Sequence, residues 1–189
     1  MSAPSVRDRE WYSLRDKHRS MPRFLRFLVR DVAIGATTGA AWALDAHAKG
    51  SGLGGAKRAA IAIGAGLLTA SVGFLMHEWG HLAGAIAAGG VVEEPASLGS
   101  PFLFFFNVEA SDRRAFLAMS YGGYAGTAIA TFAILRLVPR DTPAGRIALA
   151  ATALGVAATL ALEVPTTIRV ARGGPLPTVG GVYAGTASQ

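Results

Sequence analysis

The run Phe74-Leu75-Met76-His77-Glu78-Trp79-Gly80-His81-Leu82-Ala83-Gly84-Ala85 decides how the rest of the chain is read. Two histidines and a glutamate sit inside a stretch that is otherwise apolar or small. On an α-helix, positions i and i+4 share a face, so His77 and His81 can point at one ion. Glu78 is offset by one residue and can reach a water on that ion without being a ligand, which is the placement a general base needs. Zinc lowers the pKa of a bound water towards roughly 7, so these groups together form a hydrolytic apparatus for a carbonyl.

The surroundings make the chemistry more specific. The motif lies within an apolar segment of about Ala59 to Ala88. Such a segment is long enough to span a bilayer, which takes about 20 residues. Ionisable groups at membrane depth are costly unless paired, metal-bound or facing water. Three on one helical turn need a reason, and a metal supplies one. The chain has no cysteine, so any metal must be held by His and carboxylate ligands.

Working outward, three further apolar segments appear: about Asp31 to Ala46, Ala115 to Val138 and Ile147 to Val170. The first is short for a span. Gly50 to Gly55 and Pro139 to Pro143 are rich in helix breakers and read as connections. Residues 1–30 are basic and aromatic; Pro22 is expected to divide them into two short pieces, the second an interfacial amphipathic helix. The expected fold is an all-α membrane protein with about four transmembrane helices. Its parts are a basic N-terminal segment (1–30), a polytopic membrane domain (31–172) and a C-terminal tail (173–189). Between helices 2 and 3, Pro101-Phe102-Leu103-Phe104-Phe105-Phe106-Asn107-Val108 is too short to span as a helix. It suggests a membrane-associated β-hairpin or re-entrant loop, whose backbone groups must be satisfied by protein or by water in a cavity.

Composition agrees with a bilayer as solvent. Hydrophobic residues make up 51% and charged residues 16%, against roughly 25% charged in soluble domains. The 24 glycines are scattered through apolar runs, as suits closely packed membrane helices. The net charge of +6 is concentrated before the first apolar run, in Arg7, Arg9, Arg15, Lys17, Arg19, Arg23, Arg26 and Arg30. That position fits anionic headgroups better than nucleic acid, for which no recognisable module is present. With four spans, two-thirds of the Lys and Arg fall on the side of the termini. The positive-inside bias then places both termini in the cytoplasm of a multi-pass cell-membrane protein.

A zinc site needs a third protein ligand. His77 lies about 18 residues into the second segment and Glu163 about 16 into the fourth, so they sit roughly 27 and 24 Å from the same face. Both helices run in the same direction. Matching depth makes Glu163 the expected third ligand. Pro165 just beyond it could open the helix and turn the carboxylate towards a cavity. Asp112 and Glu109 are weaker candidates, and His18 and His47 are expected at the surface.

The Phe74–Ala85 run resembles the first core helix of the site-2 protease family of membrane-embedded zinc metalloproteases. Gly90-Val91-Val92-Glu93-Glu94-Pro95-Ala96-Ser97-Leu98-Gly99-Ser100-Pro101 is similar to that family's membrane-associated hairpin, and Tyr121-Gly122-Gly123-Tyr124-Ala125-Gly126 to the glycine-rich start of its second core helix. The resemblance covers about residues 59 to 172. It implies cleavage of peptide bonds within membrane-spanning substrates, with His77 and His81 as zinc ligands and Glu78 as general base. The family's third ligand is an aspartate followed by glycine. Here the helix reads Leu160-Ala161-Leu162-Glu163-Val164-Pro165-Thr166-Thr167, with Glu163 as the carboxylate that would take its place. That departure supports an alternative: a non-proteolytic relative acting as a structural or metal-containing subunit of a larger membrane complex. The lipid bilayer and a transmembrane substrate, or neighbouring subunits, are the expected partners. A membrane iron oxidase would need many more than four histidines.

Overall fold

A computed structural model describes residues 6–177, with side chains from Phe24 onward. The chain is mostly helical, with one small sheet. Its elements are α1 (Val6–Gly50), α2 (Gly55–Ala87), β1 (Val92–Glu93), β2 (Phe105–Phe106), α3 (Arg113–Leu137), α4 (Pro143–Leu162) and α5 (Val164–Ala171). Of the tail expected at 173–189, only the part to residue 177 is described.

The centre of the molecule is the pairing of α2 with α3, and its cause is legible in small residues. Gly80 lies against the carbonyl of Gly122, Gly84 against that of Ala118, and Gly126 against that of Met76. A Cβ at any of these glycines would overlap the facing backbone. Spacings of four residues, Gly80 to Gly84 and Gly122 to Gly126, repeat the contact along one face, as in close-packed membrane helices. At the other end of α2, Gly66 makes room for α4: a Cβ there would stand 2.8 Å from the Ala144 carbonyl oxygen and 2.7 Å from an Ile147 methyl. α1 joins through Trp42, whose Nε1 donates to Thr69 Oγ1 at 2.9 Å.

Two helical runs are long and apolar enough to cross a membrane: Gly55–Ala87 and the α4–α5 run Pro143–Ala171. This supports a membrane protein, with two of the four expected spans long and apolar enough by this measure. Helix α1 falls short because Asp31 and Asp45 bound its apolar part. α3 is less apolar because it carries Ser120, Tyr121, Tyr124, Thr127 and paired glycines; of these the glycines pack on α2, Tyr124 meets Thr167 of α5 and Thr127 meets His77. Neither apolar run is mostly covered by the rest of the described chain. Only 6% of the most apolar window in α4–α5 is buried, and 28% of that in α2. Leu154, Leu160 and Leu162 stand out from the fold.

The division expected at Pro22 is corrected, since α1 runs unbroken for 45 residues. Proline's fixed φ is itself close to helical, and its cost is one missing hydrogen bond and a ring contact. Turns on both sides carry the helix past it. The segment next to it does not stand alone: Phe27 is buried in the main core with Leu82, Leu103, Phe106 and Phe116.

Between α2 and α3 the chain forms the expected hairpin in minimal form. β1 and β2 pair antiparallel, with Val92 opposite Phe106 and Glu93 opposite Phe105. Asn107 extends the pairing, its N–H donating to the Val91 carbonyl at 2.9 Å and its side chain to Glu93 Oε1 at 2.7 Å. Residues 94–104 connect the strands and bring Leu103 and Phe104, both buried, over the C-terminal part of α2.

Candidate metal centre

His77 and His81 lie one turn apart on α2, both buried. Their Nε2 atoms stand 2.9 Å apart. Each ring is held from behind by α3: His81 Nδ1 lies 2.9 Å from the Met119 carbonyl oxygen, and His77 Nδ1 3.1 Å from that of Gly123 and 2.8 Å from Thr127 Oγ1. A carbonyl oxygen can only accept, so each Nδ1 carries the hydrogen. With Nδ1 so occupied, Nε2 is the atom of each ring left to bind an ion, and the two Nε2 atoms face one another. Fixing a ligand tautomer through its second nitrogen is the usual outer support of a metal-binding histidine.

Glu163 completes the group. Its Oε1 lies 3.0 Å from His77 Nε2 and its Oε2 3.3 Å from His81 Nε2. Ligand atoms of the three residues fall within 4.8 Å of one another. The bend that presents this carboxylate has a local cause. Pro165 has no N–H, which leaves the Ala161 carbonyl without its helical partner, and α4 ends at Leu162, with Glu163 between the two helices. Thr167 Oγ1 donates back to the Glu163 carbonyl at 3.2 Å. Its hydrogen thus committed, it accepts from the Tyr124 hydroxyl at 2.6 Å, which pins the bend to α3.

These residues fit a cation. Two imidazole nitrogens and a carboxylate converge on one point, and buried Glu163 Oε2 has only His81 Nε2, at 3.3 Å, beside it. Buried polar atoms are rarely left so, and a shared positive ion would satisfy all three at once. Two nitrogens and one oxygen, with space beyond them, is a donor set that zinc takes in hydrolytic sites.

Glu78, also buried, points to the same space from the next position on α2. Its Oε2 accepts from the Leu103 N–H at 3.3 Å, so the segment between the strands sets its orientation. Histidines, Glu78 and Glu163 form the polar floor of a cavity of about 300 Å³. The remaining walls are mainly apolar: Phe74 on α2, Phe102 and Phe105 from the hairpin, Ala130 on α3, and Gly155 and Val156 on α4.

The weaker candidates are elsewhere. Asp112 caps the N-terminus of α3, accepting from the Ala115 N–H at 2.7 Å. Glu109 and His47 are exposed, and the side chain of His18 lies outside those described. What the motif alone did not reveal is the support behind it. Trp79 Nε1 donates to Asp31 Oδ2 at 2.8 Å. Asp31 accepts from Arg30 at 2.6 Å, and Arg30 Nη1 reaches the carbonyls of Leu98 and Ser100 at 3.0 and 2.8 Å. Helix α1 thereby ties the motif helix to the segment that caps Glu78. The charged pair Arg30-Asp31 at the start of an apolar run is the one sequence sign of it.

No known protein family, curated protein or solved structure matches this chain.

Proposed function

We propose that this chain is a minimal membrane-embedded zinc hydrolase of the site-2 protease kind, cleaving peptide bonds within membrane-spanning substrates. The observation that carries the reading is the convergence of His77 Nε2, His81 Nε2 and the Glu163 carboxylate, with both Nδ1 atoms already committed to α3. His77, His81 and Glu163 would hold the ion. Zinc there would supply Lewis-acid polarisation of a carbonyl and acidify a water. Glu78 takes the proton from the attacking water and returns it to the departing amine. The apolar walls exclude bulk water and accept a lipid-soluble segment.

The four-helix membrane arrangement belongs to the same proposal. α3 is 25 residues long, about 37 Å, enough to match a hydrocarbon core of roughly 30 Å. It runs against α2 along its small-residue face, so it follows α2 through the bilayer, with Tyr124 and Thr127 turned to Thr167 and His77. The apolar part of α1 lies beside α2 through Trp42 and Thr69. With the N-terminal basic cluster inside, both termini are cytoplasmic and the site lies towards that side.

The test is cleavage of transmembrane reporter peptides in proteoliposomes loaded with zinc. Glu78→Gln should retain zinc and lose at least about 100-fold in rate, the usual worth of a general base. Zinc bound without cleavage by the wild type would favour the alternative, a metal-containing subunit of a larger complex.

A further inference from the structure

The glycines of the helices fall into two groups. Gly66, Gly80, Gly84, Gly122 and Gly126 are each required by a neighbouring backbone or side chain that leaves no room for a Cβ. Gly155 belongs, with Gly35, Gly39 and Gly64, to a second group at which a Cβ would meet nothing, and of these four it is the one that lines the cavity. It lies in the interior of α4, where glycine is destabilising relative to alanine, yet a Cβ placed on it would meet nothing within 4 Å. Helix packing does not account for it. What Gly155 does face is the cavity over the histidines, whose wall it forms.

Its place along the cavity gives it a role. Residues 152, 155, 156, 159 and 163 recur at helical spacing on one face of the α4–α5 run, and Thr152, Gly155, Val156, Thr159 and Glu163 all line the cavity. Gly155 stands two turns before Glu163, about 12 Å along the axis. On the opposite wall, Ala70 and Gly73 of α2 lead away from His77 in the same sense. The cavity is therefore a slot, with the metal-binding groups at one end and Gly155 well along it.

We infer that Gly155 is a specificity-determining residue: it keeps open the far part of a slot that receives an extended apolar chain of the substrate, and so sets how long that chain can be. This rests on the zinc-hydrolase reading, since the slot is measured from the proposed ligands. A side chain at 155 would shorten the slot without touching the ligands.

Straight-chain alkyl hydroxamates test this without a known substrate, because the hydroxamate chelates zinc and the alkyl tail probes the slot. Affinity is measured by calorimetry for a series from acetohydroxamate to dodecanohydroxamate, and each value is taken relative to a variant in the same detergent, so that micellar partition cancels. Wild-type affinity should rise by about 4-fold per methylene while the tail is being buried. Gly155→Leu should end the rise about three or four methylenes earlier, a deficit of roughly 50-fold or more for octanohydroxamate, with zinc content unchanged. Gly64→Leu, which adds the same side chain at another open position outside the slot, should reproduce the wild-type series. If Gly155→Leu holds zinc and its series matches that of wild type, or if Gly64→Leu is equally impaired, the inference is overturned. Absence of zinc from the wild type would overturn the functional reading and this inference with it, and metal analysis of the same samples tells the two failures apart.

Discussion

Replacing Gly123 by alanine should weaken zinc binding at the proposed centre without unfolding the protein. Gly123 packs its α-carbon against the His81 ring, and an added Cβ would overlap Cε1, Nε2 and Nδ1 together. To restore an ordinary contact the ring must retreat by about 1 Å, whereas functional constellations tolerate roughly 0.5 Å. The carbonyl of the same residue holds His77 Nδ1 at 3.1 Å, so both ligands feel the change. Loss of outer support typically lowers metal affinity 10- to 100-fold, or about 1.4 to 2.7 kcal/mol. The displaced group is a side chain rather than backbone, so the α2–α3 interface can survive. The assay is competition for zinc against a chromophoric chelator in detergent, with thermal unfolding of the apo protein measured alongside. Wild-type zinc affinity in a folded Gly123→Ala protein would refute the reasoning. So would an apo protein that melts far below wild type, since the damage would then lie in the fold.

Two further outcomes follow from the same contacts. Thr127→Val removes the 2.8 Å partner of His77 Nδ1 but leaves the Gly123 carbonyl, so zinc affinity should fall by less than about 10-fold in the same competition assay. Gly84→Leu drives a side chain into the Ala118 backbone; it should cost at least about 3 kcal/mol, beyond ordinary overpacking, and appear as loss of the monodisperse folded species on size exclusion.

The site was more legible in the sequence than its setting. The four-residue spacing of His77 and His81 needs only helical geometry to put both on one face, and matching depths in two parallel helices are enough to select Glu163. The structure brings these three together, and Pro165 sits at the break that frees the carboxylate. Local signals misled where longer-range contacts decide. Pro22 reads as a divider, yet α1 continues through it. α3 reads as a span by its length, yet its paired glycines and Thr127 serve contacts with α2 and the histidines, which makes it less apolar than α2 or α4. The carbonyls of Met119 and Gly123 are invisible to any side-chain pattern, because backbone acceptors carry no residue type. Their only trace is Gly122-Gly123, needed to let α3 approach the motif helix. The Arg30–Asp31–Trp79 connection joins residues far apart in the chain, and no periodicity within one helix could disclose it.

The account stands or falls on the metal. Zinc content should be measured for the detergent-purified protein, supplied with zinc and then dialysed, beside His77→Ala and Glu163→Ala. The arrangement predicts close to one zinc per wild-type chain and its loss in both variants. A wild-type protein that holds no zinc, or a Glu163→Ala protein that keeps all of it, would contradict the three-ligand centre.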